Sequence, residues 1–217
     1  MEGILRDEDP KYECRLFRAG AWCIQPEGRV LEAMRAAGIE ADSTVAPAKM
    51  LEEGRTRFDF RNAPLDRSFW RAGEDLCKPD QHGDIWEYPI FTQAIGGLRN
   101  ACFTFLKLFK RVPLKAPECR GAPVSEASKQ GLKGKFKKLK ERSTPDQRMF
   151  NFTDGTTASE MVFMIKKAQE RYRDHEGILP IVAIGHSKTF GNEKELARFL
   201  KWGEKKEGLR FESLEEG

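Results

Sequence analysis

The chain has 217 residues, of which 39% are hydrophobic and 33% are charged. This length and composition predict one globular domain with a sizeable core, and they exclude disordered and fibrous classes of protein. Its apolar runs are shorter than the ~20 residues of a membrane helix, and the start MEGILRDEDPKYE lacks the apolar segment of a signal peptide. We therefore expect a cytoplasmic protein without a transmembrane segment.

The cysteines are scattered and form no C-x-x-C pair; they are Cys14, Cys23, Cys77, Cys102 and Cys119. This pattern predicts neither a zinc ribbon nor a thioredoxin-type redox pair. In a reducing compartment the expected state is free, mostly buried thiols.

The net charge of +4 is concentrated in one segment. Lys129–Arg142 carries seven basic residues against Glu141, a local charge of +6, so the rest of the chain sums to −2. A nearly neutral body gives no reason to expect a nucleic-acid partner.

Hydrophobic periodicity in the first half alternates between strand and helix. Strands are predicted over 13–20, 39–47 and 83–92, and a helix closed by a C-terminal glycine is predicted over 28–38. The segment FDFRNAPLDRSFW is expected to be a polar loop. Pro89 predicts an edge strand or a strand start for the segment that contains it.

The second half continues the alternation around one insertion. An amphipathic helix is expected before Pro113, and residues 115–145 are expected to form an inserted connection with a basic helix. A strand and turn over 147–155 precede a helix whose Thr157 and Glu160 match a capping box. The apolar strand LPIVAIG, a helix in EKELARFLKWGEKK and a short strand LRFESL complete a single predicted domain, 1–217.

This order predicts an α/β fold with a parallel sheet, in which chemistry gathers at the carboxyl ends of the strands. Arg18 and His186 stand at predicted strand ends, and the segment DIWE, Asp84 to Glu87, enters a strand. Each also has a structural interpretation. His186 could satisfy a turn, Arg18 could bind a nearby carboxylate or carbonyl, and Trp86 could belong to the core.

Other common sites are not indicated. The histidines, His82, His175 and His186, include no pair at i, i+4 spacing, so spacing alone predicts no metal site. Phosphate-binding loops, dinucleotide fingerprints and the G-x-S-x-G elbow are all missing from the sequence.

Several segments in order, LFRAGAW, AAGIEADSTVAP, FDFRNAP, DIWEYPI and LPIVAIGHSK, resemble the second half of a NodB-type polysaccharide deacetylase. The likeness runs from about Cys14 to Leu214, with a gap over 115–145. It implies a partial or distorted (β/α) barrel that holds a divalent metal, usually zinc. It also implies hydrolysis of N- or O-acetyl groups on polysaccharides or other acetylated sugars.

The resemblance assigns roles to individual residues. Arg18 resembles the arginine that orients the catalytic base, and Trp22 stands in the continuation of that motif. Asp84, Trp86 and Glu87 resemble the segment that lines the acetyl pocket. His186 resembles the final histidine, which supplies a proton to the leaving amine, a contribution of typically ~10²–10⁴-fold.

The sequence also departs from the family pattern. The residues before Arg18 contain no paired aspartates and no His-x-x-x-His, and Gly155 in NFTDG stands where a second aspartate would be needed. No metal ligand is assignable, and we expect an N-terminally incomplete fragment, inactive alone, whose open sheet edge permits self-association.

Three functions stay open. The first is a metal-dependent deacetylase. The second is a non-catalytic carbohydrate-binding or degenerate deacetylase-like protein. The third, based on Leu132, Phe136 and Leu139 among lysines, is binding of the basic run to an anionic membrane or nucleic acid.

Overall fold

The computed structural model describes residues 7, 10–54, 56–109, 146–153, 155–186 and 192–212. The expected insertion over 115–145, with its basic run Lys129–Arg142, lies outside these residues, as does Cys119. The chain divides into two compact units. The first consists of Met1–Phe91, Asp174–Val182 and Phe211–Gly217, and the second of Thr92–Arg173 and Ala183–Arg210.

A four-stranded sheet organises the first unit, with strand order β1-β2-β6-β5. Strands β1 (Leu16–Phe17), β2 (Ala41–Asp42) and β6 (Ile85–Glu87) are parallel, and β5 (Trp70–Ala72) is antiparallel to β6. The connection from β1 to β2 contains helix α1 (Gly28–Ala36), which buries Leu31 and Met34. These side chains lie three residues apart and therefore share one face of the helix.

The prediction of a helix over 28–38 is confirmed, with its end slightly earlier in the chain. Gly38 has φ +72, a conformation that suits glycine just after a helix C-terminus. The Gly38 N–H donates to Arg35 O and the Ile39 N–H to Met34 O, so the last carbonyls of α1 are paired before the chain enters β2.

The segment predicted to be a polar loop, 58–70, overlaps a β-hairpin at its start and a strand at its end. The hairpin pairs β3 (Met50–Glu53) with β4 (Thr56–Asp59), and β5 begins at Trp70. The loop prediction is confirmed over 60–69 and was wrong at the two ends of the segment, where β4 extends to Asp59 and β5 begins at Trp70. Phe58 and Phe60 are buried on either side of Asp59, an alternation that is typical of a strand. The Gln25 side chain accepts from Asp59 N and donates to Asp59 O, at 2.7 and 3.1 Å.

The prediction that Pro89 does not occupy a central ladder position is confirmed, but the strand before it is an interior strand rather than an edge strand. Strand β6 ends at Glu87 and lies between β2 and β5, in the interior of the sheet. Pro89 follows the strand, so its missing N–H removes no bond from the ladder.

In the second unit, strands β7 (Thr92–Ile95) and β8 (Asp146–Met149) form an antiparallel pair. Its helices are α2 (Gly97–Phe109), α3 (Ala158–Arg171) and α4 (Glu193–Gly203). The predicted capping box at the start of α3 is confirmed. Glu160 also accepts from Lys107 Nζ at 2.8 Å and from Arg148 Nη1 at 2.6 Å, so one buried carboxylate caps a helix and forms two ion pairs.

The segment LPIVAIG forms isolated parallel bridges rather than a continuous strand. Val182 pairs with Ile90 in the first unit, and Ile184 pairs with Asn151 in the second. The predicted strand LRFESL is absent over its described residues, 209–212.

Mixed helices and strands characterise the described residues, and no closed barrel is found among them. The distorted barrel therefore stays a prediction. Across the same part of the chain, no helix has the length and apolarity to span a bilayer. The described cysteines are free, as predicted, but only Cys77 is buried, so the expectation of mostly buried thiols was wrong for them.

Candidate functional site

Polar side chains meet where the three parallel strands of the first unit end. Phe17 is the register partner of Asp42, and Asp42 is the partner of Glu87. Arg18 follows Phe17 directly, so it reaches the same end of the sheet. The carboxyl ends of parallel strands are where open α/β sheets bind their ligands, which makes this cluster the candidate site.

Asp42 is fully buried and held by its own loop. Its Oδ2 accepts from the Thr44 N–H at 2.6 Å, and its Oδ1 accepts from the Thr44 hydroxyl at 2.8 Å. Thr44 Oγ1 in turn accepts from the Ala19 N–H at 2.9 Å, which joins the end of β1 to the end of β2. The sequence Asp-Ser-Thr therefore forms a fixed turn whose hydrogen bonds lie inside the unit.

Glu87 is also fully buried, and it lies beside Asp42 because register partners point to the same face of a sheet. Its Oε1 accepts from the Val45 N–H at 3.1 Å. Its Oε2 faces no hydrogen-bond donor among the described residues. A buried acceptor without a partner costs roughly 1–3 kcal/mol, so the ionised form of Glu87 is disfavoured here.

Both carboxyl groups are shifted toward the protonated form. Burial and the neighbouring Asp42 charge raise the pKa of Glu87 well above its ordinary value. Burial also raises the pKa of Asp42 to about 6, against the opposing effect of its Thr44 bonds. Two adjacent buried carboxyl groups cannot both ionise cheaply, so this arrangement favours one proton shared by the pair. The side chains of Glu87 and Asp42 are within hydrogen-bonding reach of each other, and the directions in which this contact shifts their pKa values make Glu87 the donor.

Arg18 is the exposed member of the site. Its Nε donates to Ser43 O at 2.9 Å and its Nη2 to Ser43 Oγ at 3.2 Å. Ser43 Oγ donates onward to Tyr88 O at 2.8 Å. Burial lowers the Arg18 pKa, and the negative charge of the Asp42–Glu87 pair opposes this effect. Arg18 is thus held in one orientation over a buried pair that carries one negative charge.

The turn after Arg18 stores backbone strain. Ala21 and Trp22, in the 3-10 helix Gly20–Trp22, have φ of 53 and 58. Residues other than glycine adopt this left-handed conformation at a cost of roughly 1–2 kcal/mol each. The Trp22 ring is half-buried, with its centroid 5.9 Å from that of Phe58. Strained backbone of this kind clusters at functional sites.

The predicted pocket residues of the DIWE segment go to three different places. Asp84 forms an exposed ion pair with Arg35, whose Nε lies 2.7 Å from Asp84 Oδ2. Trp86 points to the sheet face opposite Glu87, because successive strand residues alternate, and the Arg71 guanidinium lies 4.5 Å from its ring centroid. Of these three residues, only Glu87 belongs to the candidate site, where it is the neighbour of Asp42.

His186 belongs to the second unit, whereas Arg18 and Glu87 belong to the first. Its backbone N–H donates to Thr153 Oγ1 at 3.0 Å. The preceding Gly185 is explained by packing, because a Cβ there would lie 2.5 Å from the Phe152 ring and 2.7 Å from Thr153 Cγ2. The Gly-His pair at the end of LPIVAIG therefore reflects a close approach of two segments within the second unit.

Sequence reasoning did not identify Asp42 and Thr44 as site residues. They lie in IEADSTVAP, which was predicted as a strand and its exit loop. The available signal was three small polar residues between apolar segments, Asp42, Ser43 and Thr44, all of them fully buried in the structure.

The carboxyl pair does not fit the divalent metal that the family resemblance implies. Zinc sites use three or four His, Cys or carboxylate ligands. The described part of the chain contains no group of three such residues that could hold a metal ion. The oxygens of Asp42 already accept from Thr44, and burial beside Asp42 favours the protonated form of Glu87. Asp42 and Glu87 therefore do not form a metal site.

A scan against protein-family models, a search of curated proteins and a search of solved structures each returned no match for this chain.

Proposed function

We propose that this chain binds acetylated sugars and promotes the hydrolysis of their acetyl groups, in which water adds to the acetyl carbonyl, acetate is released and the sugar amine or hydroxyl keeps a proton of that water. Arg18 holds the carbonyl oxygen in this proposal. The observation that carries the proposal is the position of Arg18 at the carboxyl ends of three parallel strands, with its guanidinium oriented by Ser43. The saccharide and the acetyl group come from the resemblance to NodB-type deacetylases.

Arg18 is suited to stabilise a developing negative charge. Its Nη1 has no partner among the described residues, so it can donate to a carbonyl oxygen of a bound substrate. Its Nε and Nη2 are already engaged, and the guanidinium therefore needs little reorganisation when that oxygen gains charge. Donors preorganised in this way contribute typically ~10²–10³-fold to the rate.

The carboxyl pair acts through Arg18 rather than on the substrate, since Asp42 and Glu87 are fully buried. Asp42 fixes Thr44, and the same turn presents the Ser43 carbonyl and hydroxyl to Arg18. The single negative charge of the pair balances the guanidinium charge. Asp42 and Glu87 are thus positioning residues in this proposal.

A second candidate is saccharide binding without hydrolysis. The observation that favours it is the complete burial of Asp42 and Glu87, because buried carboxyl groups cannot contact a substrate. This candidate predicts binding of acetylated sugars with no release of acetate.

The test is acetate release by the full chain from acetylated chito-oligosaccharides and from acetylated xylan, with and without added Zn²⁺. We expect Arg18→Gln to lower release by roughly 10²-fold. The control is Arg57→Gln on β4, an exposed arginine of the same unit whose nearest ion-pair partner, Glu52, is 3.8 Å away. Binding without acetate release would support the second candidate, and equal release by wild type and Arg18→Gln would refute the role of Arg18.

A further inference from the structure

An open cavity of about 680 Å³ lies on the first unit, on the side of the sheet to which Trp86 points. Aromatic rings and hydrogen-bonding side chains line it together, including Phe69, Trp86, Arg71, Asp80, Gln81 and His82. Its volume is within the range of small-ligand sites, roughly 300–1,000 Å³. Because Glu87 points to the opposite face of β6, this cavity is distinct from the carboxyl site.

Arg71 is held in place at the cavity by two contacts. It is the register partner of Trp86, and its guanidinium carbon lies 4.5 Å from the centroid of that ring. Its Nη1 donates to Gly83 O at 3.1 Å. Among the described residues, Nε and Nη2 of Arg71 have no hydrogen-bond partner. The guanidinium is therefore held in one orientation, and its Nε and Nη2 groups form a fork of donors that a ligand can bind.

The turn that completes the cavity is built against β5. The Asp80 N–H donates to Arg71 O at 2.8 Å, and the Gly83 N–H donates to Asp80 O at 3.0 Å. A Cβ at Gly83 would lie 2.4 Å from the Ala72 backbone, so only glycine allows this approach. The turn therefore fixes the position of the Gly83 carbonyl, which accepts the hydrogen bond from Arg71. It also places Gln81 and His82 in the lining of the cavity.

The chemistry of the lining indicates a ligand with one negative charge and several hydroxyl groups. Arg71 faces a single aspartate of the lining, Asp80, and this charge combination suits a carboxylate better than a doubly charged phosphate. A guanidinium fork binds a carboxylate through two parallel hydrogen bonds. Asp80 and Gln81 can accept from hydroxyl groups, and the Phe69 ring offers a flat apolar surface.

We propose that this cavity binds an acidic saccharide, with the carboxylate of a uronic acid residue on Arg71 and the sugar ring against the aromatic side chains. The saccharide class rests on the proposed function, whereas the preference for a carboxylate rests on the cavity alone. The cavity then selects the polysaccharide, and the Arg18 site acts on its acetyl group.

The test is titration calorimetry of the full chain with trigalacturonate and with the neutral galactotriose. We expect the acidic trisaccharide to bind at least about 10-fold more tightly, with an affinity that falls as salt rises. Arg71→Gln should remove this preference and Arg71→Lys should reduce it, because lysine keeps the charge but loses the fork. Arg57→Gln, outside the cavity, should bind like wild type.

Equal affinities for the two trisaccharides, no binding of either, or an unchanged preference in Arg71→Gln would overturn the inference. Arg71→Lys keeps the test decisive if Arg71→Gln does not fold. The acetate-release assay separates the two proposals. If acetate is released but trigalacturonate binds no more tightly than galactotriose, only the cavity assignment is overturned. If trigalacturonate binds more tightly but no acetate is released, only the hydrolytic function is overturned.

Discussion

Replacing Glu87 by glutamine tests the shared proton of the carboxyl pair directly. Glutamine has the shape of a protonated glutamate, so its amide can donate to Asp42 while its oxygen accepts from the Val45 N–H, as Glu87 Oε1 does at 3.1 Å. Below pH 4.5, the ordinary pKa of a glutamate, the variant should therefore differ little from wild type in stability. The difference between the two proteins should appear as the pH rises.

The expected magnitude follows from proton binding. In the unfolded chain Glu87 ionises near its ordinary pKa of 4.5, whereas the folded protein holds the proton to a pKa well above that value. Between these two pKa values the folded state binds more protons than the unfolded state, so wild-type stability falls as pH rises. The loss is about 1.4 kcal/mol per pH unit. Glutamine has no such proton, so Glu87→Gln should gain relative to wild type by about that amount per pH unit.

The assay is urea unfolding of both proteins at several pH values from 5 to 8 and constant ionic strength. The raised pKa of Asp42 also lowers the stability of both proteins as the pH rises from 3.8 through about 6. This loss largely cancels when the two stabilities are subtracted, because the glutamine amide donates to Asp42 much as protonated Glu87 does. Glu53→Gln, at an exposed position of β3, is the matched control. Parallel stability curves for wild type and Glu87→Gln over this range would mean that Glu87 is ionised in the folded protein, and the reasoning would fail.

Three further outcomes are expected. Gly185→Ala should lower the free energy of unfolding in urea by about 1–3 kcal/mol, because the new Cβ would lie 2.5 Å from the Phe152 ring. The control Gly28→Ala, with open space around it, should be neutral or stabilising. Equal effects of the two substitutions would contradict the packing argument. Thr157→Ala should lower the unfolding free energy by about 1 kcal/mol through loss of the α3 cap, and an unchanged value would show that the cap adds nothing. Burial raises the pKa of the Cys77 thiol to about 12, so under native conditions a thiol reagent at pH 8 should label the exposed cysteines first; mass spectrometry showing early modification of Cys77 would refute this.

Local interactions explain why the helices were predictable. The capping box joins Thr157 to Glu160, three residues apart, and the buried face of α1 joins Leu31 to Met34 at the same spacing. Such contacts form wherever the chain is helical, whatever surrounds the helix. The hairpin of β3 and β4 was missed because its strands are short and charged, and Phe58 is the one residue in these two strands that is buried.

The sequence by itself determined the helices, the capping box of α3 and Arg18 as a strand-end residue. Tertiary structure alone decided the partners of the site. Asp42 and Glu87 lie far apart in the chain, and they share a proton only because the parallel register of β2 and β6 makes them neighbours in a buried environment. The same register directs Trp86 to the opposite face and into a separate cavity. A shift of one residue would exchange these two side chains, so no property of the DIWE segment alone could assign them.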